Sequence, residues 1–332
     1  MNPRQRIRTV MEGGRPDRVP VSLWLHNFMH EHSAQALADE TLRLHERFGF
    51  DFYKPQSRAH CFGQMWGQQM RPSRAPDDWP AVERHAVRDA ADLAQIRALP
   101  ADGALQEQVE AMRLVRRGVG DDVPIVATVF APMMVMTLMH AGGMPAALAL
   151  QREAPDALER ALAAMTTTLE DFARRAIDAG CDGIFYATTT CNAGQTSRAE
   201  YERFHAPFDA RILQAAAGGW MNILHLCGPA IHAEWFDAAP TPIVSWATTP
   251  GNPTLAQMQQ RAGKTVLGGA PGKPQFAAMS AAALRSHVRA SLEAQGGRHH
   301  LLGPDCSINP GTPPELIQAV VDEVRAWTPP SD

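Results

Sequence analysis

Short apolar stretches recur along the chain, each followed by a segment whose apolar positions have helical spacing. Eight of them read as strands, at residues 19–24, 50–54, 124–130, 182–187, 221–226, 242–246, 264–268 and 299–303. Each is apolar on both faces, as a strand buried in a parallel sheet must be. Eight strands alternating with helices predict an α/β fold of the (β/α)8 TIM barrel type, preceded by an N-terminal helical extension. The Gly180 that closes a helical run just before residue 182 suits the turns such a barrel uses. No Gly-, Pro- or Ser-rich linker divides the chain, so residues 1–332 are expected to form a single barrel domain. A doubly wound open sheet is the alternative topology.

The longest gap lies after the second strand, at residues 56–123, and includes HCFGQMWGQQM from His60 to Met70. Helical segments are expected in it near 89–99 and 105–117. A long insertion after a barrel strand sits over the mouth, so part of this one is expected to cover the site. A surface elaboration is the plain alternative.

Composition narrows the function. Hydrophobic residues make up 45% and charged residues 20%, which excludes a disordered chain. The formal charge of −4, without a basic run, argues against a nucleic-acid or acidic-lipid binder. Arginine is abundant and lysine rare, but the arginines are scattered among alanines, as a GC-rich coding bias would leave them. The N-terminal segment MNPRQRIRTVMEGG lacks the apolar core of a secretory signal, so a cytoplasmic protein is expected. The most apolar stretch, 124–139, is shorter than the ~20 residues of a membrane helix and contains Pro132. Five cysteines, odd in number and widely spaced, suggest free thiols or metal ligands over a disulfide framework.

The fifth strand ends in His225-Leu-Cys227-Gly228-Pro229. Residues two apart on a strand point the same way, so His225 and Cys227 share a face at its C-terminal end. Cys306 follows the eighth strand at the same end of the barrel. One imidazole and two thiolates suit Zn²⁺ and leave a tetrahedral position open, the pattern of a catalytic metal. The plain alternative makes both cysteines small buried apolar residues and His225 a hydrogen-bonded core histidine. Cys191, which also follows a strand, is the rival ligand, and His60–Cys61 is a weaker pair. His26, Tyr186 and Asp305 are candidate catalytic residues, with Gln64 and Trp66 of the insertion as candidate cofactor contacts. His232 is expected on the surface or in packing, and the methionines Met133, Met134, Met136, Met139 and Met144 in helix core. Nucleotide-loop, dinucleotide, zinc-peptidase and nucleophile-elbow motifs are missing; the run from Gly268 to Pro274 has the wrong glycine spacing and no Ser or Thr.

Taken together, Gly14-Arg-Pro-Asp-Arg-Val-Pro-Val21, Ala179-Gly-Cys-Asp-Gly-Ile184, the His225-x-Cys227 pair and Gly303-Pro-Asp-Cys306 followed by Pro310-Gly-Thr-Pro-Pro-Glu-Leu-Ile317 resemble the uroporphyrinogen decarboxylase superfamily over nearly the whole length. Within it the chain is more similar to the corrinoid-linked methyltransferases, whose zinc pattern is His-x-Cys with a late Cys. The Arg-rich stretch with which true decarboxylases grip substrate carboxylates is replaced by Ser22-Leu-Trp-Leu-His-Asn-Phe28. Bidentate guanidinium groups are what a polycarboxylate needs, so tetrapyrrole decarboxylation is not expected.

The resemblance implies a zinc-dependent methyltransferase moving a methyl group between a corrinoid and a thiol or related acceptor. Zinc would make the thiol nucleophilic at neutral pH, and the corrinoid would serve as co-substrate. No Asp-x-His-x-x-Gly corrinoid signature occurs, so the methylcobamide is expected free or on a separate corrinoid protein. The other expected partner is a small-molecule methyl acceptor, with a homodimer open to it and neither nucleic acid nor membrane involved. The alternatives are a decarboxylase acting on a different carboxylate, or a non-catalytic barrel that binds a tetrapyrrole or corrinoid.

Overall fold

Six of the eight expected strands pair in sequence order as one parallel sheet in the computed structural model, which describes residues 1–58 and 60–329. They are Val126–Phe130, Gly183–Thr188, Ile223–Leu226, Ile243–Trp246, Thr265–Ala270 and His300–Pro304. The first and second expected strands take their places in the ring through isolated bonds and not full ladders. Val21 bridges to Leu302 and Tyr53 to Ile125, both parallel, and the Asp51 amide donates to the Val21 carbonyl at 2.8 Å. Prolines at 20, 55 and 124 remove ladder donors just where these staves meet their neighbours. The fold is a TIM barrel with its helices outside.

The helices begin and end where local chemistry dictates. Ser33, Ser197, Thr254 and Ser280 each cap a helix through the side-chain oxygen. The helices Ala34–Phe48, Gly103–Val119, Pro155–Asp178, Ala281–Gln295 and Pro314–Ala326 form much of the outer layer. Gly183 is required by close approach: a Cβ there would lie 2.4 Å from the main-chain carbon of Met221.

Two apolar cores result. One lies between strands and helices; the other fills the barrel with Trp24, Phe52, Val126, Phe185, Ile223, Ile243, Leu267 and Leu301. The N-terminal helix Pro3–Met11 contributes Ile7 and Val10 to the inner core and so plugs the bottom. Ion pairs seal that end. The fully buried Asp51 carboxylate accepts from Arg6 at 2.6 Å, Arg18 at 2.6 and 2.9 Å, and the Val21 amide at 2.8 Å. Asp182 does the same between Arg4, Arg116 and Trp220. The Gly14–Val21 motif is thus a stability element at the barrel floor, far from the strand C-termini.

The insertion departs from expectation in detail. It opens with the short helix Cys61–Gln64 and an antiparallel hairpin, Gln69–Arg71 with Ala81–Arg84, which period-based reading did not foresee. The first helical segment is a 3-10 turn, Ala90–Gln95, and the second is the outer helix Gly103–Val119. No helix among the described residues is long and apolar enough to cross a membrane.

Candidate metal and substrate site

Alternate residues at the C-terminal ends of the strands face one cavity of about 160 Å³. The inward pairs are Trp24 and His26, Lys54 and Gln56, Thr128 and Phe130, Phe185 and Ala187, and His225 and Cys227, joined by Cys306. The spacing of two in each pair is the strand period. Met134 and Leu138, one turn apart on the helix Pro132–Met139, close one wall. From the insertion come Ser57, Arg58, His60 and Trp79. The Trp79 indole donates to His60 Nε2 at 3.1 Å and packs edge-on to Phe28 and His26, so the hairpin loop forms the lip of the cavity.

His225, Cys227 and Cys306 converge: their ligand atoms all lie within 4.8 Å of one another. The imidazole is 3% exposed and its Nδ1 sits 3.2 Å from the Ser245 hydroxyl, on the next strand in register. Its Nε2 is buried without a hydrogen-bond partner. A buried imidazole nitrogen is ordinarily paired, and one held by its far side with the near side free has the arrangement of a metal ligand. Tetrahedral zinc, with bonds of about 2.0–2.3 Å, separates its donors by roughly 3.5 Å, so a slight inward movement closes the set. The proximity of the two sulfurs pushes Cys227 well above the usual thiol range, and Cys227 together with His225 holds Cys306 well below it. The donor set therefore fits a thiophilic dication. No other group of three His, Cys, Asp or Glu meets the same spacing among the described residues.

Backbone geometry presents the pair. Gly228 takes a φ of +112°, a conformation open to glycine, and a Cβ there would strike the Asn192 amide at 2.2 Å. That amide donates to the Cys227 carbonyl at 3.2 Å, while Asn252 donates to the carbonyls of Gly228 and Ala247. The loops after three strands are tied together around the thiol.

Of the other expected site residues, His26 lines the cavity, its Nδ1 bonded to Glu31 at 2.8 Å and its ring stacked on Phe28. Four require correction, since none of them lines the cavity. Tyr186 points outward from its strand between the inward-facing Phe185 and Ala187, and its hydroxyl donates to Asp209 at 2.5 Å. Asp305 turns to Thr248, accepting from its amide at 3.1 Å and hydroxyl at 3.0 Å. Gln64 is in the short insertion helix, and Trp66 donates to the Arg97 carbonyl at 2.9 Å. Cys191, the rival ligand, lies 3.8 Å from His205 Nδ1 in a separate buried polar cluster, and burial pushes its thiol well above the usual range, away from that of a reactive thiol. Cys61 is buried too and pushed up to about 12. His232 stacks on Trp235. Met133, Met136 and Met139 are core, while Met134 reaches the cavity.

Sequence reading missed Ser245, Lys54 and Thr128. Lys54 carried a signal: it is a lysine in a chain nearly devoid of them, at the end of an expected strand. Ser245 and Thr128 offered none, because their position depends on strand register.

The family profile described as Uroporphyrinogen decarboxylase (URO-D) matches residues 2–327. This protein belongs to the uroporphyrinogen decarboxylase family. A family member from Mycobacterium sp. (strain KMS), named uroporphyrinogen decarboxylase, is 28% identical over 273 residues, covering 76% of this chain and 73% of that one. Another relative is the Methylcobamide:CoM methyltransferase MtaA of Methanosarcina barkeri (strain Fusaro / DSM 804), 25% identical over 268 residues, covering 79% and 73%. Among solved structures, a methyltransferase from Methanosarcina mazei superposes with a TM-score of 0.82 at 20% identity, covering 97% of this chain and 98% of that one, and shares the fold. Family members of this kind are enzymes, decarboxylases and methyltransferases both.

Proposed function

We propose that this family member is a zinc-dependent methyltransferase that moves a methyl group between a corrinoid and a thiol or related acceptor. The observation that carries the reading is the His225, Cys227 and Cys306 donor set, with His225 Nε2 unpartnered, at the edge of a small apolar cavity. Zinc, when bound, supplies a Lewis acid that keeps an acceptor thiol deprotonated at neutral pH. The chain's own residues do the rest. Ser245 fixes the imidazole so that Nε2 faces the thiols. Trp24, Phe130, Met134, Leu138 and Phe185 give the acceptor apolar walls that exclude water. A cavity of about 160 Å³ holds a small acceptor and is well below the ~300–1,000 Å³ of pockets that enclose larger ligands. The methyl carrier, a corrinoid free or on a separate protein, accordingly approaches from the mouth. Similarity to the methylcobamide enzyme of Methanosarcina barkeri supports the same reading.

Decarboxylation of a tetrapyrrole polycarboxylate asks for several guanidinium groups. The cavity offers Lys54 and Arg58, and the Arg58 guanidinium is held by Glu107 at 2.8 Å. Incubated anaerobically with uroporphyrinogen, the protein is expected to yield no coproporphyrin by chromatography. Appreciable product would favour the decarboxylase.

A further inference from the structure

We infer that Lys54 and Thr128 form an oxyanion subsite inside the cavity, which receives the carboxylate end of a small ligand. The subsite itself stands on these two residues; that the ligand's other end is a thiol rests on the methyl-acceptor reading.

Lys54 is 8% exposed, and its ammonium lies 4.8 Å from the centre of the Phe185 ring and 5.6 Å from that of Trp24. It has three protons to donate, and Gln56 Oε1 is its hydrogen-bonding partner. An ammonium withdrawn from water without a counter-charge is strongly disfavoured. Glu31 is the carboxylate that acts on it from nearby. Glu31 Oε1 is bonded to His26 Nδ1 at 2.8 Å and accepts from the Asn27 amide at 3.1 Å, its Oε2 is buried without a hydrogen-bond partner, and the carboxylate pairs with His26, not with Lys54. Among the described residues no carboxylate pairs directly with Lys54, and with Gln56 Oε1 as its acceptor the ammonium keeps protons free for a ligand.

Thr128 supplies the second, independent observation. Its hydroxyl is buried without a partner, its residue is 4% exposed, and it lines the same cavity. It pairs in register with Phe185, the residue whose ring the Lys54 ammonium overlies. An ammonium with protons to spare beyond Gln56 and an unpaired hydroxyl, set in largely apolar walls, are the few placed polar groups by which a pocket orients a ligand. Both donate hydrogen bonds, so the complement is an acceptor with negative charge. Arg58 does not compete for it, since Glu107 already neutralises that guanidinium. With the metal donors on the fifth and eighth staves, the cavity suits a short molecule with sulfur at one end and carboxylate at the other.

Calorimetric titration of the zinc-loaded protein with mercaptopropionate and with its neutral analogue mercaptopropanol tests the inference. The acid is expected to bind about tenfold tighter or better, the gain of a charge-assisted hydrogen bond. Lys54→Met should erase that preference while keeping bound zinc and the weaker binding of mercaptopropanol, and Thr128→Val should reduce it by a factor of about three. Equal affinities in the wild type, or a preference that survives Lys54→Met, would overturn the subsite. Propionate titrated into metal-free protein separates the two readings. Lys54-dependent binding of propionate, with no zinc-dependent binding of either thiol, would retain the subsite and sink the thiol acceptor.

Discussion

Replacing Cys306 by serine is expected to strip the protein of zinc. Wild-type chains purified without chelator should carry about one zinc each, and Cys227→Ser and Cys306→Ser should fall to a small fraction of that, as should His225→Ala. The loss should exceed the ~10–100-fold that removing an outer-shell partner of a metal ligand produces, because here a ligand itself goes. Cys61→Ser and Cys191→Ser should keep their zinc. Both of those thiols are buried and held in the protonated form by desolvation, and neither belongs to the three-donor set. Elemental analysis of the five variants decides the matter. Full zinc in both Cys227→Ser and Cys306→Ser would remove the site, and loss in Cys191→Ser would move it to the loop after the fourth strand.

Asp209→Asn is expected to stabilise the fold at neutral pH and to do little near pH 4. Asp209 is fully buried behind the barrel, where desolvation lifts its carboxyl to about 7 from an ordinary 3.8. One of its oxygens accepts from Tyr186 and the other has no partner. The sign follows from proton counting. Between pH 4 and 7 the folded state holds a proton that the unfolded state has released, so this group's contribution to stability falls as pH rises. About three pKa units correspond to roughly 4 kcal/mol once pH passes 7. His205 and His300, both buried and pulled down to about 4, act in the opposite direction, gaining stability as pH rises toward 6.5. The difference between wild type and Asp209→Asn isolates the carboxyl, since the histidines are common to both. Denaturant unfolding at pH 4, 5.5 and 7.5 should show the variant's advantage growing with pH. An advantage that is flat across that range would mean Asp209 titrates normally.

Much of the barrel was legible because its strands are short, apolar and bounded by turns. The two staves without ladders looked the same in sequence, for proline removes hydrogen bonds without changing hydrophobicity. The His225-x-Cys227 pair was legible because a period of two needs no knowledge of the rest of the fold, and Cys306 because it follows another strand. Tyr186 shows where this stops. A strand buried on both faces has no polar side to reveal which residues point inward, so Tyr186 reads as a candidate although its neighbours Phe185 and Ala187 are the ones that face the cavity. Ser245 and Thr128 acquire meaning from the strand beside them, a relation between residues far apart in the chain. Gln64 and Trp66 lie in an insertion with no period to orient them, and the lip was formed instead by Trp79, brought over the cavity by a hairpin.

The central claim is methyl transfer at the His225, Cys227 and Cys306 site, and methylcobalamin tests it most directly. Zinc-loaded protein, given methylcobalamin and a panel of small thiols under anaerobic conditions, should convert it to the cobalt(I) form or its oxidised cobalt(II) form, followed by absorbance. One favoured thiol should appear as its methyl thioether by mass spectrometry. The conversion should depend on zinc and vanish in His225→Ala. A fully zinc-loaded protein that demethylates methylcobalamin with none of the thiols, or as fast without zinc as with it, would contradict the account.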